Sequence, residues 1–449
     1  MDFNVLNFGA VGDGKSNDVK AIQSAVDECS AVGGRVVFPS GYVFYSSSIE
    51  IKKGVQLYLE KDAVLKATGN IDEYIRPCNM INDPETALVG NPVTEKPSFV
   101  FIYGKNADNC SIAGEGTVDG NCYAFVERQN EYYVTGNFYP RPTMIYIEDS
   151  KDIFFKDITL TNAPFWTLHP AACTNVSIDS IKILNPLDVA NSDGIDPDHC
   201  HNVEIKDCTV ICADDCICLK NTNGNREYGE CTDIYVHDCE LTSTSAAIKI
   251  GTEGINNFKN VLFERCNITR SNRGISIQIR DCGNVENVTF KDINIQTRRF
   301  HSSWWGTAEP IIITSFRRDE NTKSGKIKGV TFKNIKCESE NGVLLYCDNG
   351  EIEDITFDNV KVKVGKKTKW DCGLYDLRPC IDHSIEEHKN CALRIKNANH
   401  ITLLDSEFNF TEEKHKDYSY DVLIENVNNM EIKNTNFNTF SLLRHQKNM

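Results

Sequence analysis

The sequence predicts an all-β fold, a single-stranded parallel β-helix whose N-terminal end is closed by one helix. Three observations support this prediction: a short motif with strand periodicity recurs along the chain, its first six copies begin 23 to 31 residues apart, and one segment shows clear helical periodicity. A repeat of about 25 residues that brings only short strands can bury its inward side chains only against neighbouring coils. Stacked coils are therefore the expected architecture.

The repeated motif alternates apolar and polar residues with a period of two, which is typical of strands and not of helices. DIFFKDITL, NVSIDSIKI and NVEIKDCTV are three of its copies. The copies begin at Asp152, Asn175, Asn202, Asp233, Asn260 and Asn287, with further copies at Gly329 and Asp354 and a weaker one at His400. Each copy is predicted to form strands whose apolar residues point inward.

One amphipathic helix is predicted over residues 18–30, DVKAIQSAVDECS, where Val19, Ile22 and Val26 stand at helical spacing. We expect it to cover the N-terminal end of the solenoid, where strand edges would otherwise be open. The whole chain, residues 1–449, is predicted to be one domain with loop insertions that wall the binding face. The cap region is 1–35, the coils span 36–449, and the insertions lie near 71–100, 120–142, 297–310 and 365–392.

The composition is that of a globular protein, with 40% hydrophobic and 25% charged residues. No apolar run approaches the ~18 residues that a membrane helix needs, and the net charge of −16 is opposite to what nucleic-acid binding favours. Neither a membrane nor a nucleic-acid partner is therefore expected, and no oligomeric state is predicted. The chain opens MDFNVLNFGAVGDGK, without a secretion signal, so a cytoplasmic location is expected unless a signal has been removed.

The chain has nineteen cysteines, an odd number, and none of them falls into a CxxC pair. We expect most of them to be reduced and buried as small apolar residues. Cys208, Cys239 and Cys266 recur at matching places in their copies, which fits inward stacking. His199 and His201 share a strand face, but no spaced partner pair follows them, so no metal and no cofactor is predicted.

Two adjacent aspartates, Asp214 and Asp215, interrupt the apolar run ICADDCICLK. In a regular strand they would point to opposite faces, and one would be buried unpaired at a cost of roughly several kcal/mol. We therefore expect the chain to bend there and to turn both side chains outward. Asp193, in NSDGIDPDHC, precedes them by about one coil, which can place three carboxylates on neighbouring rungs of one face.

Clustered carboxylates repel one another, so one of them can hold a proton near neutral pH. Glycoside hydrolysis uses this arrangement, because one acid protonates the leaving oxygen while a carboxylate activates water. Two alternatives stay open for an Asp pair at a turn: hydrogen bonds to the local backbone, or structural binding of Ca²⁺.

With these motifs, the chain resembles the polygalacturonase family of glycoside hydrolases, family 28. FNVLNFGAVGDGKSND with the following helix, GVQLYLEKDAVLKA, NAPFWTLHP, NSDGIDPDHC and ADDCICLK carry the resemblance, which covers nearly the whole chain. It implies a right-handed parallel β-helix and a reaction that inverts the anomeric configuration. The family pattern N-T-D-G reads NSDG and G-D-D-C reads ADDC. The resemblance thus implies that Asp193 is the water-activating base, Asp214 the general acid and Asp215 an assistant to the base.

Two family motifs are absent from this chain. In SAAIKIGTEG, Ala246 stands where the family G-H-G has its histidine, and in NRGISIQIRD the family R-I-K is replaced by Ser276, Ile277 and Gln278. The R-I-K cations hold the galacturonate carboxylate in the family, so their replacement removes a charge-assisted contact.

Several residues are candidates for binding the substrate. Arg280 shares strand parity with Gln278, and Lys249 lies one repeat earlier, so either could supply a substitute cation; a solvated outer face is the alternative for both. Aromatic rings stack on sugars, and of the adjacent Trp304 and Trp305 at least one is expected to be exposed. The full set of candidates is His169, Lys220, Lys249, Glu253, Gln278, Arg280, Trp305 and Arg141.

The leading hypothesis is an exo-acting, inverting glycosidase that releases a terminal sugar, galacturonate or a relative, from pectin-derived oligosaccharides. The exo mode is expected because the insertions near 71–100 and 365–392 could close one end of the cleft. A calcium-dependent polysaccharide lyase, with a base such as Arg280, is the first alternative. A carbohydrate-binding solenoid without catalysis is the second, because the histidine and the R-I-K motif are missing.

Overall fold

The computed structural model describes residues 1–77, 96–126, 140–302, 304–411 and 415–443. The predicted insertions near 71–100 and 120–142 lie largely outside this part of the chain.

The chain divides into two compact units. The first unit comprises Met1–Asp214 and Thr222–Tyr228, and the second comprises Asp215–Asn221 and Gly229–Met449. A single domain over the whole chain stays a prediction.

In its described residues, the first unit consists of parallel strands with one α-helix. Its strands form three rows, β1-β3-β6-β9-β12-β15-β17, β2-β4-β7-β10-β13-β16-β18 and β5-β8-β11-β14. The helix α1 is Val19–Val32. The strands β1 to β18 are Asp2–Asn4, Asp13–Asn17, Gly34–Phe38, Val43–Ser46, Ile49–Glu50, Val55–Leu59, Val64–Ala67, Val100–Lys105, Ser111–Ala113, Thr117–Asp119, Thr143–Glu148, Lys151–Lys156, Thr159–Thr161, Leu168–Ala171, Thr174–Asp179, Lys182–Leu184, His201–Lys206 and Thr209–Cys212.

The predicted helix is present, although its buried face differs in part from the prediction. Ile22, Val26, Ala21, Ala25 and Cys29 are its buried residues, whereas Val19 is only partly buried. The helix packs against β1, β3, β5 and β6, which are the first strands of two rows. It therefore covers the N-terminal strands, as a cap should.

Most copies of the repeated motif begin with Asn or Asp because their first residue has a left-handed backbone. Asp152, Asn175 and Asn202 have left-handed backbones, with φ of 57°, 59° and 55°. Short polar side chains tolerate this region, which turns the chain into the next strand. The Nδ2 of Asn175 donates to Oδ1 of Asp152 at 2.7 Å, and the Nδ2 of Asn202 donates to Oδ1 of Asn175 at 2.8 Å. A ladder of side-chain hydrogen bonds thus aligns successive coils.

The second unit has the same parallel organisation. Its rows are β20-β23-β26-β28-β30-β33-β35, β21-β24-β26-β28-β30-β34 and β19-β22-β25-β27-β29-β33-β35-β36, because the longest strands bend and take part in two rows. The strands β19 to β36 are Ile217–Asn221, Cys231–His237, Glu240–Ser243, Ala246–Gly254, Phe258–Glu264, Asn267–Ser271, Arg273–Ile279, Val285–Thr297, Ile311–Ser315, Lys326–Ser339, Val343–Cys347, Glu351–Val364, Leu374–Asp376, Ile385–Glu387, Leu393–Leu404, Glu407–Phe410, Val422–Lys433 and Phe440–Leu443.

Inward residues of the second unit stack coil upon coil. Phe263, Phe290, Phe332 and Phe357 are fully buried, and their rings stack at centroid distances of 5.4, 5.1 and 5.0 Å. Offset stacking of this kind adds about 0.5–1.5 kcal/mol per pair beyond the burial of apolar area. The predicted all-β parallel β-helix with an N-terminal helix is confirmed.

The segment 365–392, near which an insertion is expected, lies between β30 and β33. It contains the antiparallel pair β31–β32. Its Tyr375 and Leu377 form a buried apolar cluster with Ile312, Leu344 and Phe316, and the first two of these partners belong to β27 and β29. Ile312 contacts the insertion, so by strand alternation its neighbours Ile311 and Ile313 point to the opposite, inner face, and the insertion covers the outer face of these strands.

The described cysteines are free, and most are buried, Cys208, Cys239 and Cys266 among them, as predicted. Cys282 is exposed. Among the described residues, no helix is both long enough and apolar enough to cross a membrane.

Candidate active site

Two carboxylates approach each other in the first unit. One carboxylate oxygen of Asp193 and one of Asp214 lie within 4.8 Å of each other. Asp193 is 2% exposed and Asp214 is 8% exposed. Asp214 lies in a bend that follows β18, where the sequence predicted a break in the strand. The bend releases its side chain from the inward direction that a regular strand would impose.

The loop that carries Asp193 is held by buried hydrogen bonds. The guanidinium of Arg141 donates to the carbonyl of Ala190 at 2.6 Å and to Oδ1 of Asn191 at 2.9 Å. The backbone N–H of Asn191 donates to Oδ2 of Asp214 at 3.2 Å. Arg141 is 4% exposed, so its contacts are those of a residue that positions the loop, and its predicted role in substrate binding stays a prediction.

His169 is fully buried, and its Nε2 lies 3.1 Å from Oδ2 of Asp198. Asp198 also accepts hydrogen bonds from Thr222 and from Nδ2 of Asn225. Burial raises the pKa of Asp198, but the hydrogen bond from His169 and the neighbouring imidazoles outweigh it and hold the pKa below its usual range. The ring of His169 packs edge-on against the buried Trp166. Its predicted role in binding the substrate also stays a prediction.

Asp215 is held by three donors in the second unit. Nζ of Lys249 lies 2.7 Å from its Oδ2, while Oγ of Ser245 and the backbone N–H of Ala246 donate to its Oδ1 at 3.1 and 3.2 Å. Burial lowers the pKa of Lys249, but the charge of Asp215 outweighs this and raises the pKa above its usual range. Ala246, which stands where the family motif has a histidine, thus helps to position Asp215 through its backbone N–H.

A second ionic group surrounds Glu253, which lies on β22 together with Lys249. Nζ of Lys220 is 3.3 Å from Oε2 of Glu253, and a guanidinium nitrogen of Arg318 is 3.8 Å from Oε1. Burial raises the pKa of Glu253, but the charges of Lys220, Arg318 and Lys249 outweigh it and lower the pKa to about 2. Glu253 is therefore an ionised counter-ion at neutral pH and does not resemble a proton donor.

Ser276 and Gln278, two of the three residues that replace the family R-I-K, lie on the outer face of β25, and Ile277 between them points to the opposite face. Ser276 pairs in register with Lys249 of β22, so the two residues are neighbours on adjacent coils. Oε1 of Gln278 accepts from Oγ of Ser276 at 3.0 Å and from Nη1 of Arg273 at 3.2 Å. Nε2 of Gln278 is buried and has no hydrogen-bond partner within the described parts of the chain. This amide N–H₂ is therefore an unsatisfied donor that is closed off from solvent in this structure.

Arg280 lies on the same face as Gln278, as predicted, but it is fully buried. Its guanidinium donates to the carbonyl oxygens of Pro379 and Leu377 at 2.6 and 3.0 Å and to Oγ1 of Thr314 at 3.0 Å. Burial lowers its pKa to about 10. Arg280 therefore anchors the insertion, and in this structure its donors are engaged by protein oxygens, so its role as a substitute cation stays a prediction.

Trp305 is 37% exposed whereas Trp304 is 1% exposed, which agrees with the expectation that one of the two faces solvent. The guanidinium of Arg378 lies 5.0 Å from the centroid of the Trp305 ring. Arg378 donates to both carboxylate oxygens of the buried Asp376, at 2.8 and 2.9 Å. Oδ2 of Asp376 also accepts from the N–H of Gly306 at 2.8 Å, so the insertions at 297–310 and 365–392 hold this pair together.

Sequence reasoning missed Arg378, Asp376 and Arg318. The stretch DCGLYDLRPC contains an aspartate two residues before an arginine, which could have indicated a charged pair. It lies outside the repeat, however, so the repeat could not assign it to a face.

Comparisons with known proteins agree with this architecture. The family model described as "Glycosyl hydrolases family 28" matches residues 85–380, and a model described as "Rhamnogalacturonase A/epimerase, pectate lyase-like" matches residues 3–75. A "Probable polygalacturonase" of Vitis vinifera is 33% identical over 232 residues, which cover 50% of this chain and 45% of that protein. The chain thus spans less than half of that relative's length.

Two solved structures resemble the fold over 96% of this chain. The family 28 exopolygalacturonase of Yersinia enterocolitica has a TM-score of 0.69 at 17% identity, with 78% of its chain covered. The exopolygalacturonase of Thermotoga maritima has a TM-score of 0.63 at 19% identity, with 92% covered. The structural likeness supports the fold, and the family 28 model matches more than half of the sequence. The chain therefore belongs to glycosyl hydrolase family 28.

Proposed function

We propose that the protein is an exo-acting, inverting glycoside hydrolase that releases a terminal sugar, galacturonate or a related residue, from pectin-derived oligosaccharides. The observation that carries this proposal is the approach of Asp193 and Asp214 within 4.8 Å on the two motifs that mark catalytic carboxylates in this family. Asp214 is assigned as the acid that protonates the leaving oxygen. Asp193 is assigned as the base that activates water, with Asp215 assisting it.

The exo mode is supported by the insertion at 365–392. Tyr375 and Leu377 cover the outer face of β27 and β29, while β22 and β25 present Lys249, Ser276 and Gln278 on their outer faces. An oligosaccharide that follows this face meets the insertion beyond β25. Only the end of a chain can then lie beside Lys249, whose side chain is 16% exposed, whereas Ser276 and Gln278 are buried.

The stereochemistry rests on the family resemblance. Inverting enzymes usually hold their carboxyl groups about 6.5–9.5 Å apart and retaining enzymes about 5–5.5 Å apart. The closest oxygens of Asp193 and Asp214, within 4.8 Å, would by spacing alone favour retention. The relation between carboxyl separation and stereochemistry is defined for two carboxyl groups. Because we assign a role to a third, Asp215, it does not apply directly here. We therefore propose inversion and test it separately from hydrolysis.

The test incubates the full chain with oligogalacturonides, rhamnogalacturonan fragments and neutral pectic side chains, each labelled at its reducing end. Mass spectrometry follows the products, and proton NMR follows the anomeric signal in the first minutes. We expect one saturated sugar to leave the unlabelled end, with inverted configuration, at the same rate with and without EDTA. Mixed product lengths would contradict the exo mode, and a retained anomer would contradict inversion.

The two alternative functions give other results in the same test. A calcium-dependent lyase would give unsaturated products whose formation EDTA abolishes. A binding solenoid would retain oligosaccharides without turning over any of them. Either result would overturn the proposed hydrolase.

We also propose a cytoplasmic location. In that location the substrates would be short imported oligosaccharides, and short substrates agree with the net charge of −16, which opposes binding of a long polyanion.

Trp305 is expected to stack on a sugar ring of the substrate. Replacing it in Trp305→Ala should raise KM about 2- to 10-fold, with little change in kcat, because one aromatic contact is worth about 0.5–1.5 kcal/mol. Trp305→Phe, which keeps a ring, should stay close to the unmodified protein. Steady-state kinetics on the best substrate of the panel measure both variants, and an unchanged KM in Trp305→Ala would remove Trp305 from the binding site.

A further inference from the structure

We propose that Cys372, His415 and Asp417 form a binding site for a zinc-class divalent metal in the second unit, distinct from the proposed catalytic residues. Sγ of Cys372 lies 3.2 Å from Nδ1 of His415 and 3.8 Å from Oδ2 of Asp417. Nδ1 of His415 lies 3.5 Å from the same Oδ2. Three different metal-ligating atoms therefore form one small triangle on partly buried side chains.

The dimensions of this triangle fit a tetrahedral metal. With Zn–S of about 2.3 Å and Zn–N and Zn–O of about 2.1 Å, tetrahedral angles place the S–N, S–O and N–O pairs about 3.6, 3.6 and 3.4 Å apart. The observed separations of 3.2, 3.8 and 3.5 Å differ from these by about 0.4 Å at most. A point equidistant from the three atoms lies about 2.0 Å from each, so little movement is needed to receive the ion.

The donor set selects the class of metal. A thiolate and an imidazole favour zinc and similar transition metals, whereas calcium and magnesium prefer all-oxygen sites. Nδ1 of His415 accepts a hydrogen bond from the backbone N–H of Asp417 at 3.3 Å, so this nitrogen is the unprotonated one, and a metal would replace that hydrogen bond at its lone pair. A thiol binds a metal as the thiolate, so binding at Cys372 would release a proton.

The site joins two segments that are far apart in sequence. Cys372 belongs to the insertion at 365–392 and lies two residues before β31. The other two ligands precede β35. A bound metal would therefore tie the insertion to the last coils and stabilise the segment that carries Tyr375 and Asp376. This effect does not depend on the proposed hydrolase activity.

The experiment uses the full chain after removal of metals by a chelator. Cobalt(II), which reports a thiolate ligand by a near-ultraviolet charge-transfer band, is titrated into the protein, and zinc is then used to displace it. We expect one cobalt per chain, with the thiolate band lost in Cys372→Ser and the affinity about tenfold weaker or more in Asp417→Asn. Cys282→Ser, which removes an exposed thiol of the same unit, is the control and should keep the band.

Thermal unfolding provides a second readout. Zinc should raise the midpoint of the chelated protein and of Cys282→Ser, and it should leave the midpoint of Cys372→Ser unchanged. Circular dichroism checks that each variant is folded, and Asp417→Asn gives a second test should Cys372→Ser fail to fold. The proposal is overturned if the unmodified protein shows no thiolate band, or if the band survives in Cys372→Ser. Equal loss in Cys282→Ser would assign the metal to the surface thiol instead.

Discussion

Asp214→Asn is expected to lower kcat/KM on the best-cleaved oligosaccharide by about 10²–10⁴-fold, which is the usual contribution of a general acid. The amide has nearly the shape of the carboxyl group but cannot give a proton to the leaving oxygen. Its oxygen can still accept the hydrogen bond from the N–H of Asn191, so the thermal midpoint should change little. Steady-state kinetics and thermal unfolding measure the two effects separately.

Two comparisons make this prediction specific to the acid role. An aryl glycoside with 4-nitrophenol as the leaving group needs little protonation, so the loss in Asp214→Asn should shrink on that substrate while the loss in Asp193→Asn should not. Glu115→Gln, the same change at an exposed carboxylate of the first unit, should leave kinetics unchanged. An equal loss on both substrates in Asp214→Asn would refute the assignment of Asp214 as the acid and leave Asp193 as the alternative.

The repeat could be predicted because it is encoded locally. Asp152, Asn175 and Asn202 begin their copies since short polar side chains tolerate the left-handed backbone at the corner, and they also bond to one another across coils. The alternating pattern also stops before 365 and resumes after 392, which is why an insertion is expected near there. Local backbone preference and period-two burial therefore suffice for the coils.

The surroundings of the candidate site could not be predicted in the same way. Strand parity placed Arg280 on the outer face beside Gln278, and its hydrogen bond to Thr314, the register partner of Gln278, agrees. Parity does not report what covers a face, however, and the insertion covers Arg280 with the carbonyls of Pro379 and Leu377. The same insertion brings Arg378 to Trp305. Contacts between an insertion and a distant coil carry no periodic signal, so only the structure shows them.

Lys249→Met is expected to destabilise the protein by about 3 kcal/mol, at the lower end of the 3–5 kcal/mol that breaking a buried ion pair costs. The side chains of Lys249 and Asp215 are 16% and 2% exposed, and their charged atoms are 2.7 Å apart. Removing the ammonium leaves Asp215 buried without its counter-ion. The hydrogen bonds from Ser245 and Ala246 remain, which is why the lower end is expected. The midpoint of urea unfolding measures the change.

A matched surface pair and a double variant separate this loss from a general effect of removing a lysine. Lys326 and Glu351 are closer together, at 2.6 Å, but their side chains are 57% and 54% exposed. Lys326→Met should therefore cost less than about 1 kcal/mol, because solvent screens such pairs. Asp215→Asn combined with Lys249→Met removes the uncompensated charge and should recover part of the stability lost in Lys249→Met. Equal losses of stability in Lys249→Met and Lys326→Met would contradict this prediction. They would show that the buried pair contributes no more than the exposed one, so burial of the Asp215 charge would not be what makes Lys249 important.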